Sequence, residues 1–346
     1  MRGIVRSAKE LHSGLIPFIL PQRGMFPTET GIKPSARIKL ADEGSSLASY
    51  KMEYDRGSAM IFENQTFDQE RALYGVHDAI VKNCRFDGEA DGESALKEAG
   101  RLEVNGCFMN LRYPFWHVTD AKISGTEFTE NCRAALWYDQ NVSIDGCKVN
   151  GIKALRECQD ITLTNSSVSS LEFIWKCSNL IVENVEIKES EYPFFEVKNA
   201  KISKLKMKGK YSFQYNENIE ITDSELDTKD AFWHTKNATV RDSIVRGEYL
   251  GWYSENLTLI NCRIIGTQPF CYCKNLVLEN CTMGNCDLAF ERSSVHVKVA
   301  GKIDSIKNPL EGKIFADEIG EVIFEKKICD ACRTEIKGKI CNCKCA

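Results

Sequence analysis

Chemistry in this chain has three candidate seats. Five cysteines, Cys329, Cys332, Cys341, Cys343 and Cys345, crowd the last eighteen residues. A Cys-x2-Cys pair clamps a zinc ion with two thiolates, and the later three offer the other two of a tetrahedral set at about 2.3 Å per sulfur. Four soft ligands leave no open position, so this Zn²⁺ would hold structure and not react. The competing reading is a reduced, unliganded chain end.

The second seat is Asp230. Tyr211 and Tyr249 stand nineteen residues to either side, Lys229 and Glu248 occupy the adjoining register, and His234 follows four residues on. A carboxylate needs neighbours that move its pKa before it can pass protons near neutrality, which makes Asp230 the candidate acid or base with His234 and Glu248 assisting. A similar group is Glu157 with Arg156, Lys176, Tyr138 and Arg133. Carboxylates on both sides of a glycosidic bond would suit a hydrolase, and a cation beside an acid would suit a polysaccharide lyase. Structural ion pairing explains the same residues. The adjacent Asp pair and Gly-His-Gly of polygalacturonases are absent.

The third seat is a strip of aromatic and charged residues recurring at fixed intervals: Trp116, Trp137, Trp175, Trp233, Trp252, Tyr211, Tyr249 and Tyr253, with Arg133 and Lys229 among them. Sugar rings present apolar faces to stack and hydroxyls to bind, so such a strip suits an oligosaccharide groove. The alternative is a non-enzymatic scaffold whose strip binds a protein partner or another copy of itself, or a solvated sheet with packed Tyr ladders.

What positions these residues is a repeat. The unit "apolar, x, apolar, x, x, Cys or small, x, apolar" recurs thirteen times, anchored on its sixth position at Cys84, Cys107, Thr126, Cys147, Ser166, Val185, Leu205, Ser224, Ser243, Cys262, Cys281, Ala300 and Ile319. Most intervals are nineteen residues, too short for paired-helix repeats. Aliphatic residues stand three and five before the anchor, as in Val142 and Ile144, and a spacing of two means strand. Six before the anchor runs a column of turn formers, among them Asp120, Asn141, Asp160, Asn179, Asn199, Asn218, Asn237, Asn256 and Asn275. Asn tolerates the left-handed backbone, and stacked amides bond to one another, so the column marks a corner. The repeat therefore predicts an all-β, single-stranded, right-handed parallel β-helix of about thirteen coils over residues 59–326, with the anchor column and the columns three and five before it buried.

One column stays ambiguous in the sequence. All five tryptophans lie ten before an anchor, beside a column at eleven holding Phe115, Phe194, Phe213, Phe232 and Phe270. The Trp column also holds Lys97, Arg156 and Gln214, which points it outward. Strand parity points the Phe column outward, with the polar columns at thirteen and nine. Insertions near 87–92, 129–132 and 188–190 enter one corner beside this face and would wall it.

The phrases "ENQTF", "ERALYG", "DGESALKE", "LRYPFWH", "RAALWY", "GIKALRE", "GKYSFQY", "TKDAFWH", "GEYLGWY" and "DLAFE", between Phe62 and Ile323, resemble the bacterial family called domain of unknown function 3737. That family is similar to pectin-lyase-like right-handed β-helices, so the resemblance implies the same fold. It implies no reaction and supplies no catalytic residues.

Composition sets the outer bounds. Forty-five Lys and Arg against 49 Asp and Glu give a net charge of −4, without the basic excess that a nucleic-acid binder needs. The apolar run Leu15–Leu20 is far short of a membrane span and contains Pro17. Of eleven further cysteines, eight sit in the anchor column or the column eight before it, both of buried type, which fits reduced thiols and the cytoplasm. Residues 1–58 lack the period and read as an extension or cap; 327–346 read as a separate Cys-rich tail.

Overall fold

The computed structural model describes residues 59–88, 93–328, 330 and 333–345, which belong to one compact unit, Asp55–Ala346. The N-terminal extension lies outside the described residues. Within the unit the chain winds as a parallel β-helix. Its main strands follow one per coil, from Met60–Glu63 and His77–Lys82 through Gln140–Asp145 and Glu217–Thr222 to Thr334–Cys345, each between the first and the last hydrogen-bonded to the coils before and after it.

Register is set by the inward side chains. Ile161 pairs with Val142 below and Leu180 above, and Leu163 with Ile144 and Val182. A slip of one residue would turn this whole aliphatic set toward water, so burial fixes the pairing. The anchors Cys147, Cys262 and Cys281 and the columns three and five before them are buried as the repeat predicts.

Among the described residues fifteen main strands are present, two more than the repeat suggested. Met60–Glu63 begins a coil beneath His77–Lys82, with Phe62 against Val81. Thr334–Cys345 adds a coil at the other end, with Ile336 against Ile314 and Ile340 against Ile319. Residues 334–345, expected as part of a separate Cys-rich tail, thus form a strand of the β-helix. An extended strand rises about 3.3 Å per residue, so Cys341 and Cys345 stand about 13 Å apart along it and at most one neighbouring pair could share a metal ion. Cys341 and Cys343 are exposed. A four-thiolate zinc site would also need Cys329 and Cys332, which lie outside the described residues; among the described residues no three metal-ligating side chains gather.

The Asn column forms the predicted corner. Asn141 Nδ2 donates to Asp120 Oδ1 at 2.6 Å, Asn199 to Asn179 at 3.1 Å, Asn218 to Asn199 at 3.0 Å and Asn256 to Asn237 at 2.8 Å, and each of these residues has a left-handed φ near +55 to +59°, or +53° at Asn237. From Asn179 to Asn256 each amide donates to the coil below and accepts from the coil above, so one side chain serves both contacts.

Candidate functional site

Past the short strand of each coil, the backbone leaves the β region at every other residue. In the Ser166 coil, Lys153, Leu155 and Glu157 have φ of +61°, +59° and +55°. Left-handed residues interrupt the strict alternation of a strand, so side chains point out and in by pairs. Ile152 and Lys153 are half-buried outside, Ala154 and Leu155 buried, Arg156 half-buried and Glu157 exposed outside, and Cys158 buried again. This resolves the ambiguity of the aromatic columns. Phe115, Phe194, Phe213, Phe232 and Phe270 fill the core, while the Trp column faces outward together with the polar columns thirteen and nine before the anchor.

All the candidate residues except the cysteines fall on this one lateral face. Four of its tryptophans stack face to face from coil to coil. Trp116 stacks on Trp137 at 5.0 Å and Trp233 on Trp252 at 5.4 Å, in both cases within 4° of parallel. Arg156, expected in the Glu157 cluster, instead fills the gap between Trp137 and Trp175, its guanidinium 4.8 and 4.6 Å from the two ring centroids. Every indole N–H donates to a backbone carbonyl of the next coil: Trp116 to Ala134 and Trp233 to Tyr249 at 2.7 Å, Trp137 to Lys153 at 2.6 Å, Trp175 to Tyr192 and Trp252 to Gln268 at 2.8 Å.

The outermost ridge is also stacked. Tyr215, His234, Tyr253 and Tyr272 follow one another at 4.9, 5.0 and 4.8 Å with planes within 12° of parallel. His117 and Tyr138 form a second stack at 4.9 Å. Tyr211 lies on Tyr192 at 4.7 Å, and the Lys229 ammonium sits 5.5 Å from the centre of the Tyr249 ring. The face therefore presents ring edges, hydroxyls and imidazole nitrogens, because the faces of successive rings cover one another.

Asp230 is 6% exposed. Its N–H donates to the Glu248 carbonyl at 2.9 Å and its carbonyl accepts from Gln214 Nε2 at 3.1 Å. Burial pushes its carboxyl up to about 6, with Lys229 opposing and Glu248 adding to the rise. Glu248 is committed to Lys229 at 3.1 Å, and that hydrogen bond raises the Lys229 ammonium. The screen of rings around His234 lowers its pKa by excluding water. Of the second cluster, Arg156 and Lys153 both reach Glu172, at 3.0 and 3.6 Å. Arg133 is exposed beside the turn at 129–132, where Cys132 is buried and Thr129 Oγ1 donates to Asn110 Oδ1 at 2.5 Å.

Asp139 is a buried carboxyl missed in the sequence. It stands eight before Cys147, in the inward column that also holds Cys158 and Cys177, and a carboxylate in a column of small residues was the available signal. Oδ1 accepts from the Val118 N–H at 2.8 Å while Oδ2 is buried without a partner. Burial, with Cys158 beside it, raises its pKa well above the ordinary carboxylate range.

A family profile described as "Protein of unknown function (DUF3737)" matches residues 60–337. No curated protein matches. Two solved structures superpose weakly. QnrB1, a plasmid-mediated fluoroquinolone resistance protein, shares 11% identity over 60% of this chain and 80% of its own, with a TM-score of 0.23. HetL, a pentapeptide repeat protein involved in heterocyst differentiation regulation from the cyanobacterium Nostoc sp. strain PCC 7120, shares 10% over 66% and 86%, with a TM-score of 0.20. Scores this low carry no inference about function. Among the described residues no helix is long and apolar enough to cross a membrane.

Proposed function

Because the chain belongs to the family described as protein of unknown function (DUF3737), which names no activity, we propose from geometry alone that it is a non-enzymatic scaffold whose lateral face binds protein. The observation that carries this reading is the mutual stacking of the rings. A sugar binds an aromatic platform through the ring face, and along these ladders the faces are taken by neighbours at 4.7 to 5.4 Å. What remains accessible is rigid edges and polar tips, which suit a protein partner: large contact area, little side-chain entropy left to lose, and hydroxyls to pair.

The acid–base reading is weaker on the same ground. Asp230 has a proton affinity suited to catalysis but is 6% exposed, and Glu248 is engaged with Lys229. Eleven buried, unpaired thiols in the coils support a reducing compartment, and we place the protein's work in the cytoplasm on that basis.

The test uses the full chain with a photo-cross-linker at position 253, expressed in its host, beside a glycan array and an oligosaccharide turnover assay. A protein-sized adduct is expected, with no sugar signal and no turnover. Sugar binding that disappears in Tyr253→Ala, or turnover that disappears in Asp230→Asn, would overturn the reading.

A further inference from the structure

The lateral face is electrically two-ended. Over the five coils from Glu93 to Lys176 its four outward columns, fourteen, thirteen, ten and nine before the anchor, hold six Lys or Arg and four Glu, net +2. Over the next five, from Glu191 to Tyr272, they hold two Lys and four Asp or Glu, net −2. A parallel partner of the same kind would set like ends together, and an antiparallel one sets opposite ends together.

The ridge sharpens this. Its middle is an exposed run, Glu157, Lys176 and Glu196, flanked by the His117–Tyr138 stack on one side and the Tyr215–Tyr272 stack on the other. Resting on the protein-binding reading, we propose that the partner is a second copy of this chain. The two lateral faces meet antiparallel about a two-fold axis that crosses the face between the Lys176 and Glu196 coils. That operation sets Lys176 against Glu196 of the second copy twice, Tyr138 against His234, His117 against Tyr253, and the Glu157 carboxylate against the Tyr215 hydroxyl. Centring the axis on a coil instead sets a charge against itself, and centring it on Lys176 also sets Glu157 against Glu196.

Apolar surface sits where the axis passes. Leu171, 43% exposed, stands in the Lys176 coil directly beside the axis, fourteen before its anchor, with half-buried Ile152 below it in the Glu157 coil, and the two copies of Leu171 come within one coil of each other. Ten coils at about 4.8 Å and a face about 15 Å wide give roughly 700 Å² per copy, near the ~800 Å² per partner of a stable interface. The contact is isologous and closes at two.

Sedimentation of the full chain from about 1 to 100 µM tests this. Wild type is expected to dimerise. Lys176→Glu and Glu196→Lys should each weaken association at least tenfold, and Leu171→Glu should do so without touching the ion pairs. An equimolar mixture of Lys176→Glu and Glu196→Lys should recover wild-type affinity within a few-fold, because the exchanged charges then attract between chains, whereas no contact within one chain gains from mixing. A monomeric wild type, insensitivity to all three substitutions, or a mixture that stays monomeric would overturn the proposal. A monomer whose face still cross-links another protein would sink the dimer and leave the protein-binding reading standing.

Discussion

The main strand of each coil and the lateral face share one nineteen-residue period and one core, yet they obey different rules. Along Lys236–Arg241 the inward residues Ala238 and Val240 alternate with exposed or half-buried neighbours, and the only left-handed residue is Asn237. Along Asp230–His234, three left-handed residues stand in five, and one of them is a buried phenylalanine. Left-handed backbone suits Asn; at a bulky residue it costs on the order of 1 kcal/mol or more. The comparison shows where the stability of a coil is held: in the main strand the backbone is at ease and the side chains ride on it, while in the lateral face ring stacking holds the backbone in place.

The largest break in that comparison should come from Phe232→Ala. Phe232 is buried and stacks 5.0 Å from Phe213, so truncation leaves a cavity at a strained residue and should cost about 3–5 kcal/mol. Thr239→Ala, half-buried on the outward side of the main strand next in sequence, should cost under about 0.5 kcal/mol. Paired denaturant melts decide it, and equal midpoints would refute the contrast.

Asp230 sharpens the comparison through pH. Its folded pKa is raised, to about 6 against an ordinary 3.8, so its share of stability is fully present below pH 3.8 and is lost as pH rises through about 6. Asp230→Asn should remove that decline, raising stability above pH 6.5 by about 1–3 kcal/mol relative to wild type. His234, with a lowered pKa, acts in the opposite sense, adding stability at neutral pH that is lost on acidification. Melts at pH 4, 5.5 and 7.5 for both proteins measure the difference, and parallel pH curves would show that Asp230 is not linked to folding.

A smaller and more local effect than at Phe232 or Asp230 belongs to the corner. Asn237 donates to Asn218 at 3.1 Å and accepts from Asn256 at 2.8 Å. Asn237→Ala loses both bonds at a left-handed residue, for about 1–2 kcal/mol, while Asn237→Gly keeps the backbone at ease and should recover part of it. Hydrogen exchange on the flanking amides reads this locally, and identical exchange in the two variants would mean that the ladder contributes nothing.

The two regions also differ in what their residues reveal in sequence. Spacing of two before the anchor, and Asn at one register, translate directly into strand and corner, so Ile161, Leu163 and Asn179 could be placed unaided. Nothing about Leu155 or Phe232 as residue types announces a left-handed backbone; that conformation is imposed by stacking on the coils above and below. Parity therefore misled at the Trp column, where composition did not. The occupation of ring faces follows only from the vertical spacing of coils. The final coil escaped because Ile340 stands 21 residues after Ile319 amid Lys and Cys, a composition that reads as a tail.

In-register stacking makes each coil answerable only to its neighbours, and this has a consequence for how such a molecule can change. Excising nineteen residues from one corner asparagine to the residue before the next, such as 237–255, brings Asn256 directly above Asn218 and leaves every column intact. Duplicating the same segment does the reverse. Length is thus adjustable in steps of about 4.8 Å without redesigning the core. Lineages of this fold can lengthen or shorten the distance between two points on the surface as one resets a ruler.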